Sequence, residues 1–130
     1  MINRLTVLLT IMIMALAINS CSESEPELYS LEGVWYYGEN TSHDNYDITQ
    51  IVLARDGSFT SSQSVMTPGA TETTYNYLGQ WWLDDKTLNI YYTGLGTDVY
   101  TVNLIDSSSR KLYLSIRGKQ VVWCRSASDL

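Results

Sequence analysis

From residue 33 onward, apolar and polar side chains alternate with a period of two in short runs, and turn-forming residues separate the runs. The runs at 34–39, 46–55, 59–66, 72–83, 87–93, 98–105, 110–117 and 120–125 predict eight strands. Between them lie the polar segment "NTSHDN" and the turn signals "RDGS", "TPGA", "DDK", "GLGT", "DSSS" and "GK". Asp-Gly within "RDGS" accepts the positive φ that tight hairpins require. No stretch past residue 33 shows the spacing of an amphipathic helix. Eight strands on short turns make an all-β, antiparallel up-and-down meander. Left open, such a sheet exposes two unpaired edges. Closure into a small barrel removes both edges, and at eight strands the interior holds side chains or one small ligand.

The alternation also selects an inner face. Leu112, Leu114 and Ile116 share it, as do Tyr100, Val102 and Leu104 on the sixth run, and Leu88, Ile90 and Tyr92 on the fifth. The fourth run contributes Tyr75, Tyr77, Trp81 and Leu83; the second carries apolar residues on both faces. The expected inward set therefore includes Trp35, Phe59, Tyr75, Tyr77, Trp81, Tyr92, Tyr100, Val102 and Leu114. Two outcomes stay open. These rings line a cavity for a small apolar or aromatic ligand, with tyrosine hydroxyls as polar anchors, or they fill the interior as a packed core. Filling is the expectation near Trp35, and the opposite mouth is undecided. The outward residues Tyr36, Trp82, Tyr91 and Tyr113 form an outer aromatic set that suits a protein or sugar partner.

The first 20 residues differ in kind. Arg4 and the terminal amine precede an apolar run, Leu5 to Ile18, broken only by Thr6 and Thr10. That is the build of a secretory signal, and the run is short against the ~20 apolar residues of a membrane-spanning helix. "INSC" at its end resembles the lipobox of bacterial lipoproteins. The resemblance implies that residues 1–20 are removed and that Cys21 becomes a lipidated, membrane-anchored first residue, since two or more acyl chains hold stably where one does not. Residues 21–30, with three Glu and one Pro, read as an acidic tether. Ser22 in place of Asp favours the outer membrane, facing either the periplasm or the cell surface.

"LEGVW" opens the strand region, and "VVWCR" nearly closes it. Gly33 and Trp35 resemble the Gly-x-Trp motif on the first strand of lipocalins and lipocalin-like domains, and Arg125 stands where that family carries an Arg over the Trp. The resemblance implies a lipocalin-like barrel over residues 31–130. In it, Gly33, Trp35 and Arg125 plug the closed end, with a cation–π gain of ~0.5–2 kcal/mol.

The totals narrow the chemistry. Ten Tyr and 4 Trp against 1 Phe suit half-buried pleated surfaces. A formal charge of -6 argues against nucleic acid, which demands a basic patch. With one His, no nucleophile elbow, no phosphate loop and no spaced Cys/His cluster, no cofactor, metal site or catalytic role is expected. "ENTSHDNYD" fits no calcium-loop spacing and reads as a solvated turn, and Asp84 and Asp85 read as a hairpin turn. Cys124, left alone once Cys21 carries lipid, reads as a small buried side chain. The expectation is a non-enzymatic, lipid-anchored envelope protein that binds a small apolar or aromatic ligand. The alternative is an envelope interaction module, an accessory subunit or small-barrel enzyme inhibitor with a filled interior. Replacing Cys21→Ser is expected to leave an uncleaved precursor without acyl label; normal acyl labelling of that variant refutes the lipobox.

Overall fold

Residues 31–130 are described by the computed structural model; the expected signal, Cys21 and the expected tether lie outside the described residues. The strands are β1 (Gly33–Ser42), β2 (Asn45–Leu53), β3 (Ser58–Met66), β4 (Thr73–Asp84), β5 (Thr87–Tyr92), β6 (Gly96–Asp106), β7 (Lys111–Ile116) and β8 (Lys119–Cys124), followed by a 3-10 turn at Ala127–Asp129. Each strand pairs antiparallel with the next, and β1 returns to β8, so the meander is a closed barrel in sequence order. The first connection is tighter than its polarity suggests. Glu39 pairs with Asp47, Asn40 with Tyr46 and Ser42 with Asn45, so β1 extends through all of "NTS", and an irregularity between Asn40 and Ser42 absorbs the mismatch.

Register sorts the side chains. Trp35 faces Ile51, Leu53 faces Phe59, Trp81 faces Ile90, and Leu112 faces Trp123, all within the buried core. The second strand resolves accordingly. Thr49, Ile51 and Leu53 point inward and are buried, while Ile48, Gln50 and Val52 are half-buried on the outer face. Two expectations for the inner face need correction. Leu104 is 56% exposed, because a bulge between Val102 and Leu104 inserts one residue into β6 and turns Ile105, opposite Leu112, inward instead. Tyr75 keeps the inward parity but is 48% exposed. The β4–β5 ladder runs out at the pair Gly79–Tyr92, so β4 overhangs its neighbour and Tyr75 stands above the wall.

The seam between β1 and β8 is narrow, with Tyr36 opposite Cys124. Arg125 reinforces it. Its Nη1 donates across the seam to the Val34 carbonyl at 3.2 Å, while its backbone N–H holds the β7 side by donating to the Arg110 carbonyl at 3.0 Å. The guanidinium carbon lies 3.6 Å from the centroid of the Trp35 ring. On Trp35, 2% exposed, Nε1 donates to the carbonyl of Leu31 at 2.8 Å, so the first described residue is tied into the base. Gly33 makes this possible: its φ is +113°, and a Cβ there would sit 2.8 Å from Arg125 Nη1. At Gly79 a Cβ would collide with the Tyr91 carbonyl, so strands β4 and β5 approach there only because the side chain is missing.

Trp35 thus carries core packing, one buried hydrogen bond and the cation over its ring. Trp35→Ala is expected to cost ~3–5 kcal/mol in a denaturant melt, a large part of the stability of a domain this size; a loss under about 1 kcal/mol would show that the ring is not a structural plug.

Candidate functional site

Along the inner faces of β1, β2, β3 and β6, every second residue takes a step from a dry base to a polar mouth. On β1 the series is Trp35, Tyr37, Glu39; on β2 it is Ile51, Thr49, Asp47; on β3, Phe59, Ser61, Gln63; on β6, Val102, Tyr100, Asp98. The mouth is the end that carries the β1–β2, β3–β4, β5–β6 and β7–β8 turns. The switch is a sequence property, since the same period-two rule that buries Trp35 delivers Tyr37 and then a carboxylate to the same surface.

Aromatic rings occupy the middle level in two connected groups. Tyr37 stacks on Trp123 at 5.9 Å between centroids, and Tyr100 meets Trp123 edge-on at 5.2 Å. Tyr92 meets Phe59 edge-on at 5.2 Å and Tyr77 at 6.0 Å. Such offset and edge contacts add about 0.5–1.5 kcal/mol each beyond burial. Asp98 joins the two groups electrostatically. Burial, then the charges of Tyr100 and Asp98, pushes the Tyr92 phenol far above its ordinary value. Tyr100, 6% exposed, is raised in the same way by burial and by Tyr37 and Asp98. Burial also raises Tyr37, against a partly offsetting hydrogen bond with Thr49. Tyr37, Tyr92 and Tyr100 are neutral hydrogen-bonding groups at physiological pH, held around the Asp98 carboxylate.

The rim is polar and mostly acidic. Gln63 Nε2 donates to Asp47 Oδ1 at 2.9 Å, and the Tyr46 hydroxyl donates to the Glu72 carboxylate. Arg117 reaches Asp98 at 3.5 Å, with its own side chain 82% exposed and that of Asp98 28% exposed. A pair this solvated contributes little to stability. The mouth end gathers five carboxylates, Glu39, Asp44, Asp47, Glu72 and Asp98, against Arg117 and Lys119. The remaining described residues balance more evenly: Glu32, Asp56, Asp84, Asp85, Asp106 and Asp129 stand against Arg55, Lys86, Arg110, Lys111 and Arg125. The negative field of the domain therefore concentrates at the mouth.

Of the residues expected to line a cavity, Phe59, Trp81, Val102 and Leu114 lie in the buried base, and Trp81 Nε1 donates to the Ala54 carbonyl at 2.7 Å. Tyr77, Tyr92 and Tyr100 lie at the middle level, and Tyr75 is at the rim. Gly33, Trp35 and Arg125 meet at the closed end, beside a hollow of about 310 Å³ bounded by Ile105, Asp106 and Arg110. Tyr37, Thr49, Asp98 and Trp123 escaped the sequence reading, although Tyr37 and Asp98 sit two residues from Trp35 and Tyr100 and shared their parity. His43 is exposed at the β1–β2 turn, where Asp44 accepts the Ser42 hydroxyl at 2.6 Å. Asp85 occupies its turn at φ 56°. Cys124 is 4% exposed, and burial raises its thiol pKa, which holds it in the unreactive protonated form.

Comparison of the chain with protein-family models, with curated proteins and with solved structures returned no match. The functional evidence is therefore the geometry itself. It offers aromatic faces, phenol hydroxyls and a concentration of negative charge at one end of the barrel.

The buried phenols also set a pH dependence. A phenol raised above its unfolded value contributes stability that is complete below about pH 10 and is lost as the pH rises towards its folded value. The Tyr92→Phe/Tyr100→Phe double variant is therefore expected to lose stability less steeply than the parent between about pH 9 and about pH 11.5, measured by denaturant titration at each pH. Equal slopes would show that these hydroxyls are not held neutral by the fold.

Proposed function

We propose that this protein is a lipid-anchored, lipocalin-like barrel of the bacterial cell envelope, tethered to the outer membrane through Cys21, that binds a small apolar or aromatic ligand at its mouth without catalysing a reaction. The observation that carries this is the cluster of Tyr37, Tyr92 and Tyr100 around Asp98, with Tyr77 edge-on to Tyr92, set above an apolar base and beside a polar rim. Ligand pockets join apolar and aromatic walls to a few convergent polar groups in this way. The anchor is supported by the "INSC" box, and the lipocalin-like assignment by Arg125 over Trp35 beside Gly33.

The electrostatics sharpen the ligand class. A fatty-acid carboxylate entering the mouth meets Asp98 and an acidic rim, an arrangement of like charges that disfavours it. A neutral aromatic is tolerated, and a cationic one gains both the carboxylate and the faces of the phenol rings.

A second reading rests on a different surface. Leu104, Tyr113 and Val122 are direct cross-strand neighbours on the outside of β6, β7 and β8, with Leu104 56% and Val122 39% exposed. That apolar row suits an envelope protein partner, in keeping with an accessory subunit or inhibitor.

The two readings separate in a thermal-shift and native mass-spectrometry screen of the full chain against neutral aromatics, aromatic amines and fatty acids. The mouth reading expects bound mass and a melting rise of roughly 10 °C or more at saturating aromatic amine. It expects a smaller effect after Asp98→Asn, and none with fatty acids at neutral pH. A screen in which no aromatic binds eliminates the ligand-binding role and leaves the interaction module.

A further inference from the structure

We propose that the outer face of β3, β4 and β5 around Trp82 is a second binding site, built for a neutral saccharide. It lies on the opposite side of the sheet from the mouth and does not depend on the ligand proposed there.

Four tryptophans occur in the chain, and three of them are core residues: Trp35, Trp81 and Trp123 are 2%, 4% and 1% exposed. Trp82 alone presents its ring to solvent, at 45%. It does so beside a groove of about 500 Å³ whose lining includes Asp56, Gly57, Ser58 and Gln80. Register explains the arrangement. Ser58 is opposite Gln80, and the Trp81 N–H donates to the Gly57 carbonyl at 2.9 Å, which brings the β2–β3 turn alongside Trp82. On the other flank, Gln80 pairs with Tyr91 and Trp82 with Asn89. Two rings and two amides therefore alternate like a chequerboard, with Trp82 and Tyr91 on one diagonal and Gln80 and Asn89 on the other. Diagonal neighbours lie roughly 7–8 Å apart, within reach of large rings.

Asp56 completes the set. Its Oδ1 accepts from the Ser58 backbone N–H at 2.9 Å and from the Ser58 hydroxyl at 2.6 Å. These bonds hold the carboxylate ionised and fixed, and leave its other oxygen to accept from a ligand.

The chemistry of this surface selects its occupant. An indole face takes the C–H face of a pyranose ring through many small dispersion contacts. Amides that both donate and accept, with a carboxylate beside them, match the paired hydroxyls of a sugar. A purely apolar peptide laid here would strip water from Gln80 and Asp56 without replacing their hydrogen bonds, at a cost of about 1–3 kcal/mol for each group. No Lys or Arg lines the groove, and Asp56 repels anions, so phosphorylated or uronic sugars are excluded.

The tryptophan distribution also makes the test site-resolved. The full chain, labelled with 5-fluorotryptophan and held in a detergent without a sugar headgroup, gives four fluorine signals. Maltohexaose, cellohexaose, chitohexaose and mannohexaose are each titrated to about 10 mM, the range of weak binding. The expected result is a saturable shift of one signal, which Trp82→Ala assigns by its disappearance, while the other three stay still. Gln80→Ala is expected to weaken that response at least fivefold with an unchanged melting temperature. The proposal is overturned if none of the four sugars moves the Trp82 signal, if the remaining signals of Trp82→Ala respond equally, or if that signal answers only to an added envelope protein.

Discussion

Two strand edges must find each other before this chain has a core. The seven hairpins form between neighbours in sequence, but the β1–β8 contact spans nearly the whole domain and offers only the Tyr36–Cys124 pair as a ladder. The Tyr37–Trp123 ring stack also crosses this seam, and Arg125 completes the closure. It bonds Val34 across the seam, covers Trp35 and fits because Gly33 has no side chain. Every inward position on the other six strands is buried only if that closure holds, since an opened sheet would expose both its edges and its apolar face.

Closure also creates the contrast on which the proposed function rests. One end is dry and filled, with Leu31, Leu53, Leu88 and Leu112 fully buried. The other presents phenols, hydroxyls and carboxylates on the same strands. Rigid packing below and solvated groups above set a fixed scaffold under an exposed polar surface. The outer face repeats the theme at smaller scale, because the exposed Trp82 stands on a strand whose very next residue inward, Trp81, is locked in the core.

Much of the fold was legible because period-two alternation and turn residues speak directly to strand geometry. All eight strands appear in the expected order, with boundaries shifted by a few residues. Leu104 was misplaced because a bulge adds a residue without leaving a local mark; no Gly or Pro flags it. Tyr75 was misplaced because parity reports which face a side chain takes and not whether a neighbouring strand is long enough to cover it. Among site residues, Tyr37 and Asp98 were readable from parity but lost to their polar atoms, which look like surface. The approach of Arg125 to Trp35, 90 positions apart, came from a resemblance and not from any pattern along the chain.

The hydrogen bond from Trp35 to Leu31 fixes where the chain enters the barrel. Entry is at the closed end, beside the plug. The nine residues between Cys21 and Leu31 span at most about 32 Å when fully extended. The segment that precedes Leu31 therefore joins the domain beside its sealed base, at the end opposite the tyrosine-lined opening. Whatever precedes the barrel thus leaves the polar mouth uncrowded by the chain's own entry.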